Sequence, residues 1–172
     1  MVTPGWCRIM AAYNAEMNRR LYAAASRLPD AERREARGVF FGSLHGTLSH
    51  LLWGDMQWMS RLDGGEKPPV DLRGSAAMEP DFAVLAEKRV ALDARIAAWA
   101  DGLTPERLAG DLTWFSAAAN RQMSCPMGVV ATHIFNHQTH HRGQAHALIT
   151  AAGESTGDTD LFLVVDPAVF TG

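Results

Sequence analysis

Along four long stretches of this chain, apolar residues recur every three or four positions, and each recurrence predicts a helix. In the first stretch Ile9, Ala12, Tyr13, Met17, Leu21 and Ala24 fall at that spacing, and Thr3-Pro4 ahead of them reads as an N-cap followed by proline at the first helical position. The predicted helix runs from about Pro4 to about Arg27 and is broken by Pro29-Asp30. The polar run AERREARG reads as a connection with room for one helical turn. Ser43 is placed to cap a second helix, whose broad apolar face is Leu44, Leu48, Leu51, Leu52, Met56 and Met59.

The next segment, LDGGEKPPVDLRGS, mixes glycine, proline and charge without periodicity and reads as a loop. From Pro80 the pattern Phe82, Leu85, Ala86, Val90, Leu92, Ile96 and Trp99 predicts a third long helix, stopped by Gly102. Thr104-Pro105-Glu106 opens a short turn of helix that ends near Gly110. Leu112 to Phe115 has the bulk of a strand and Ala117 to Asn120 can reverse it, so a small hairpin is expected in DLTWFSAAANRQMSCP. Beyond Pro126, Val129, Val130, Ile134, Phe135, Leu148 and Ile149 mark a last long helix ending near Gly153, and Gly157 to Gly172 reads as an extended or irregular tail around LFLVV. Four long helices with modest connections predict an all-α four-helix bundle, with residues 1–172 forming a single domain.

Composition narrows the function without naming it. A net charge of -3, with arginine scattered along the chain, gives no electrostatic footprint for a phosphate backbone, so no nucleic-acid partner is expected. Cys7 and Cys125 stand far apart and outside any redox or zinc spacing, which suits a reducing compartment. The chain opens without a basic segment leading into an apolar run, and no uncharged stretch has the length a bilayer needs. The expectation is a cytoplasmic protein without membrane contact.

Histidine changes the picture, because five of the seven lie in HIFNHQTHHRGQAH, between His133 and His146. Residues four apart sit one turn above each other on a helix, so His137 and His141 can direct two imidazoles at one point. The pair His133 and His137 has the same spacing and competes with it, and His140 can lie beside either. Two ligands bind weakly alone, and His50, in the middle of the second helix, is the evident third donor. Three neutral imidazoles suit zinc, nickel, iron or copper and leave positions open for water or substrate. A lone histidine such as His45 or His146 is more often a surface or hydrogen-bonded core residue, and an HxxxH pair by itself is a short motif with many false matches.

NHQTHHRGQAH, together with SHLLWGDMQW in the second helix and AAYNAEMNRRLY in the first, resembles the DinB family, the DinB/YfiT-like metalloenzymes, over most of the chain. The resemblance implies a four-helix bundle of the DinB/YfiT-like type, usually a homodimer, with three histidines on a divalent metal. Carried over to this sequence, the ligands are His50, His137 and His141. The implied cofactor is a divalent transition metal, zinc or nickel ahead of iron or manganese. Asn14, Asn18, Asp55, Arg142 and Gln144 also match positions of the family pattern, as polar links between helices or as groups that orient an imidazole. Gly143 reads as a small residue where a neighbouring helix approaches.

Relatives of this type include thiol-dependent transferases, so the expected function is metal-dependent chemistry on a small molecule, by hydrolysis or by S-transfer from a low-molecular-weight thiol. The alternative is a non-catalytic metal-binding or stress-response module that homodimerises. The last helix carries no Asp or Glu between Val129 and Ala152. Proton-transfer candidates are therefore Asp55, Glu16, Asp158 and Asp160 in the tail, and the spare histidines His133 and His140. The acidic tail GDTDLF can fold over the open face of the metal, or be a solvated turn. Trp53, Trp58, Trp99 and Trp114 can line a substrate pocket, although packing is the commoner use of such residues.

Overall fold

The computed structural model describes residues 2–117 and 119–171. Its elements follow the predicted order as far as the last long helix: α1 (Pro4–Arg27), α2 (Asp30–Arg34), α3 (Leu44–Leu62), α4 (Phe82–Asp101), α5 (Pro105–Ala109), β1 (Asp111–Ser116), β2 (Arg121–Pro126) and α6 (Met127–Ala151), after which comes α7 (Leu161–Val164). Among the described residues, α1, α3, α4 and α6 are the four long helices. Each packs on two others, α1 on α4 and α6, and α3 on the same two.

The helix starts follow the local chemistry. Thr3 accepts a hydrogen bond from the Trp6 amide at 3.1 Å and Ser43 from the Gly46 amide at 3.0 Å, each satisfying an N-terminal donor that has no partner inside the helix. Along α1 the buried residues Cys7, Ala11, Asn14, Met17, Asn18, Leu21, Ala24 and Ala25 recur at helical spacing and form its inner face. The α3 helix differs, since every residue from Leu44 to Leu52 is buried. A 3-10 turn at Leu72–Ala77 packs on the side of α3 left uncovered by α4 and α6. The segment read as an unstructured loop therefore contains an ordered turn that completes the burial of α3.

The expected hairpin is present, antiparallel from Asp111↔Pro126 to Ser116↔Arg121. Asn120 adopts a left-handed φ of 47°, a conformation asparagine tolerates better than most residues; Ala118, within the expected reversal, lies outside the described residues. The tail differs from its reading as extended or irregular. Leu161–Val164 form one turn of helix and Pro167–Thr171 a 3-10 turn, both against α1. The described strands pair only with each other, so LFLVV satisfies its backbone locally, with the Val165 amide donating to the Leu161 carbonyl, while Val165 is buried.

Two positions taken for inward-facing are not. Val90 is 69 % and Val129 56 % exposed. On α4 the inner face is instead Leu85, Arg89, Leu92, Asp93 and Ile96, because 89 and 93 each lie one turn from a buried neighbour. Arg89 pairs with Asp55 of α3 at 2.6 Å and with Asp93 at 2.7 Å, and Asn14 and Asn18 of α1 donate to Asp93. Gln138 of α6 donates to the second oxygen of Asp55 at 3.1 Å, and Arg142 donates to Asn14. All four long helices are thus tied by one buried polar network. No described helix is long and apolar enough to cross a membrane.

Candidate metal centre

His50 is brought to the site by the middle of α3, and His137 and His141 by successive turns of α6 packed beside it. One nitrogen from each ring lies within 4.8 Å of the others, a grouping that can hold a metal ion. The ring centroids are 4.4 Å apart for His137 and His141, 4.7 Å for His50 and His141, and 5.5 Å for His50 and His137.

The rings are oriented by neighbours. The Nδ1 of His50 meets Ser75 Oγ at 2.9 Å, and the Nδ1 of His141 meets Gln144 Oε1 at 2.9 Å, which leaves Nε2 free on both. Such outer partners fix the tautomer and aim of a ligating imidazole. Among the described residues, His137 Nδ1 is buried without a hydrogen-bond partner. Beside that ring, α3 carries Gly54, where an added Cβ would stand 2.7 Å from His137 Cε1. The close approach therefore occurs at Gly54. Gly143, expected to mark it, has nothing within 4 Å of its would-be Cβ.

Burial keeps the imidazoles neutral. It pushes His50 down to about 4, with the neighbouring His141 adding to the effect, and His137 down to about 3, with His141 and His50 adding. His141 is also lowered by burial, against the opposing pull of Gln144. A neutral ring is the form that ligates, so the donor set fits a divalent transition metal.

The remaining predicted residues separate clearly. His133 packs its ring 5.0 Å from Trp58 and is not in the group, so of the two HxxxH pairs it is His137 and His141 that lie together with His50. His45 meets the Glu79 carbonyl at 2.7 Å and His146 meets Thr156 Oγ1 at 2.8 Å. Asp55 neither orients an imidazole nor stands free as a proton acceptor, since both its oxygens serve the network described above. Arg142 likewise points to α1, where burial lowers its guanidinium to about 10. Glu16 is paired with Arg19 and Arg20. The tail lies along α1, with the Asp158 carbonyl accepting from Arg20 and the Thr159 carbonyl from Tyr13, so it does not cover the histidines.

That cover comes from the segment before α3, which had no motif to announce it. Phe41 stacks on His50 with centroids 3.7 Å apart and planes 16° from parallel. A cavity of about 420 Å³ opens over the three histidines, with Phe40, Phe41, Trp53 and Leu72 as its apolar walls and His140 and Gln144 at its edge. Trp53 is held by a hydrogen bond to the Val70 carbonyl at 2.8 Å. Trp58 and Trp114 instead pack on each other, and Trp99 is buried in the core.

Comparison with curated proteins and with solved structures gives no match. A family model does match, that of the DinB family, over residues 1–168, which include all three clustered histidines. With nearly the whole length matched, the chain belongs to the DinB family.

Proposed function

We propose that this protein is a metal-dependent enzyme in which His50, His137 and His141 bind one divalent transition metal, zinc or nickel ahead of iron or manganese. The observation that carries the reading is the convergence of three neutral imidazoles, two of them aimed by Ser75 and Gln144, on the floor of an open cavity. A structural metal site closes its coordination with four protein ligands, whereas three ligands facing a cavity leave room for a reactant. A divalent metal so held acts as a Lewis acid that ionises water or a thiol near neutral pH.

The chain's own residues supply binding and orientation. Phe41, stacked on His50, limits solvent on one side, and Trp53 is fixed as a rigid wall on another. No Asp or Glu is among the described residues that line the cavity, and His140 is the titratable group at its edge outside the triad. The site is thus suited to S-transfer from a low-molecular-weight thiol or to hydrolysis, since a thiol or a water ionised on the metal would attack without a carboxylate base. The same reading takes the chain as one cytoplasmic four-helix-bundle domain of the DinB/YfiT-like type, acting as a homodimer on a small molecule.

Cobalt-substituted protein tests the open coordination position. Added thiol should produce a sulfur-to-cobalt absorption band in the wild type and none in His137→Ala. A cobalt spectrum unmoved by thiols or by small anions would contradict an open site and favour a non-catalytic metal-binding module.

A further inference from the structure

The walls of the histidine cavity carry information about what enters it. Of the side chains that line it, Phe40, Phe41, Trp53 and Leu72 are apolar, Gln144 is an uncharged amide, and the rest are the three histidines of the triad with His140 at the edge. No Asp, Glu, Lys or Arg is among the described lining residues. Two of the apolar walls are unusually exposed, Phe40 at 86 % and Leu72 at 54 %. They come from different segments, the turn before α3 and the 3-10 turn at Leu72–Ala77, yet meet at one opening. Large apolar side chains left exposed together around a concavity mark a place where apolar surface is buried on binding.

We infer that the substrate of this site carries an uncharged aromatic or bulky aliphatic group, which lies against Phe40, Trp53 and Leu72 while its reacting end reaches the histidines. The inference rests on the reading of the three histidines as a metal site. The metal's charge is met by the atom that occupies its open position. A second charge on the part of the substrate that lies against these walls would rest on rings and a leucine and lose its hydration, with no Asp, Glu, Lys or Arg among the described lining residues to pair with it. An aromatic body gains from the same walls, by burial and by offset or edge contact with Phe40 and Trp53. Phe40 is already edge-on to Phe41, with centroids 4.9 Å apart and planes 78° apart, so its outer face is free to receive a second ring.

Cobalt-substituted protein can be titrated with three thiols that share a metal-seeking sulfur and differ in their bodies. These are 2-mercaptoethanol, benzyl mercaptan and 4-(mercaptomethyl)benzoate, each followed by the sulfur-to-cobalt band. Benzyl mercaptan should bind at least about tenfold tighter than 2-mercaptoethanol, since even one methylene in an apolar pocket is worth about tenfold or more. The added carboxylate should remove most of that gain. Phe40→Ser and Leu72→Ser, both at exposed positions outside the triad, should each lower the preference for benzyl mercaptan over 2-mercaptoethanol several-fold in protein that is fully loaded with cobalt. Equal affinity for the three thiols on a cobalt-loaded protein, or tightest binding of the benzoate, would overturn the inference and leave the metal site standing. A protein that takes up no cobalt would overturn the metal reading and the inference with it.

Discussion

Ser75 and Gln144 each spend their hydrogen bond on the far nitrogen of a histidine, and Gly54 spends its missing side chain on making room for the third ring. The grouping of these histidines was only partly legible in the sequence: the i, i+4 spacing offered His133 with His137 as well as His137 with His141, His50 stood out mid-helix, and the family resemblance chose among them. Of its supports, only Gln144 was singled out by the sequence. A serine in a Gly/Pro-rich loop and a glycine within a helix have no periodic signature, and their meaning appears only once α3 packs on α6 and the 3-10 turn folds back. Gly54→Ala is therefore expected to displace the His137 ring and weaken metal binding by about 10–100-fold, the range seen when outer-shell partners are lost. Metal titration of a variant that keeps wild-type helicity checks this, and unchanged affinity would contradict the role given to Gly54. The buried rings also set a proton count. At pH 6.0 three histidines of ordinary pKa near 6.5 would together hold about two protons for a metal to displace. Here burial lowers the pKa of all three, to about 4 and about 3 for His50 and His137, so those two are already neutral and metal binding should release less than one proton, that of His141. Calorimetry in buffers of different ionisation enthalpy measures that number, and a release near two would refute the assigned protonation.

At the scale of elements, periodicity located all four long helices, Thr3 and Ser43 marked the caps of two of them, and turn residues located the hairpin. What it misjudged was which residues on α4 face inward. Apolar counting favoured Val90, while Arg89 and Asp93, one turn apart on the Leu85 and Ile96 side, carry the contact with α1 and α3. A charged residue at a core position looks like a solvent-facing one until its partners are known, and those partners, Asp55, Asn14 and Asn18, lie on other helices. The same partners explain why Asp55, attractive as a proton acceptor beside a metal, is committed elsewhere. Asp55→Ala leaves Arg89 with one carboxylate and Gln138 Nε2 without its acceptor, and breaking a buried pair by removing one partner costs about 3–5 kcal/mol. Chemical denaturation should show a loss of that size. A loss below about 1 kcal/mol would mean that the network does not hold the helices together.

For the whole molecule, the fold places its two polar systems back to back. The ion-pair network runs through the interior across α1, α3, α4 and α6, and the histidines occupy the other side of the α3–α6 contact, under Phe41. Helix α6 serves both, with Gln138 and Arg142 turned to the network and His137 and His141 to the cavity. Since metal binds the folded arrangement and not the separated histidines of an unfolded chain, binding and stability are coupled. The central claim is that His50 of α3 joins His137 and His141 of α6, far from it in sequence, in one metal site. Elemental analysis of untagged protein, wild type beside His50→Ala and His137→Ala, tests it most directly. The account predicts about one transition-metal ion per chain in the wild type and loss of that ion in both variants. A wild type without metal, or a His50→Ala variant that keeps it, would contradict the account.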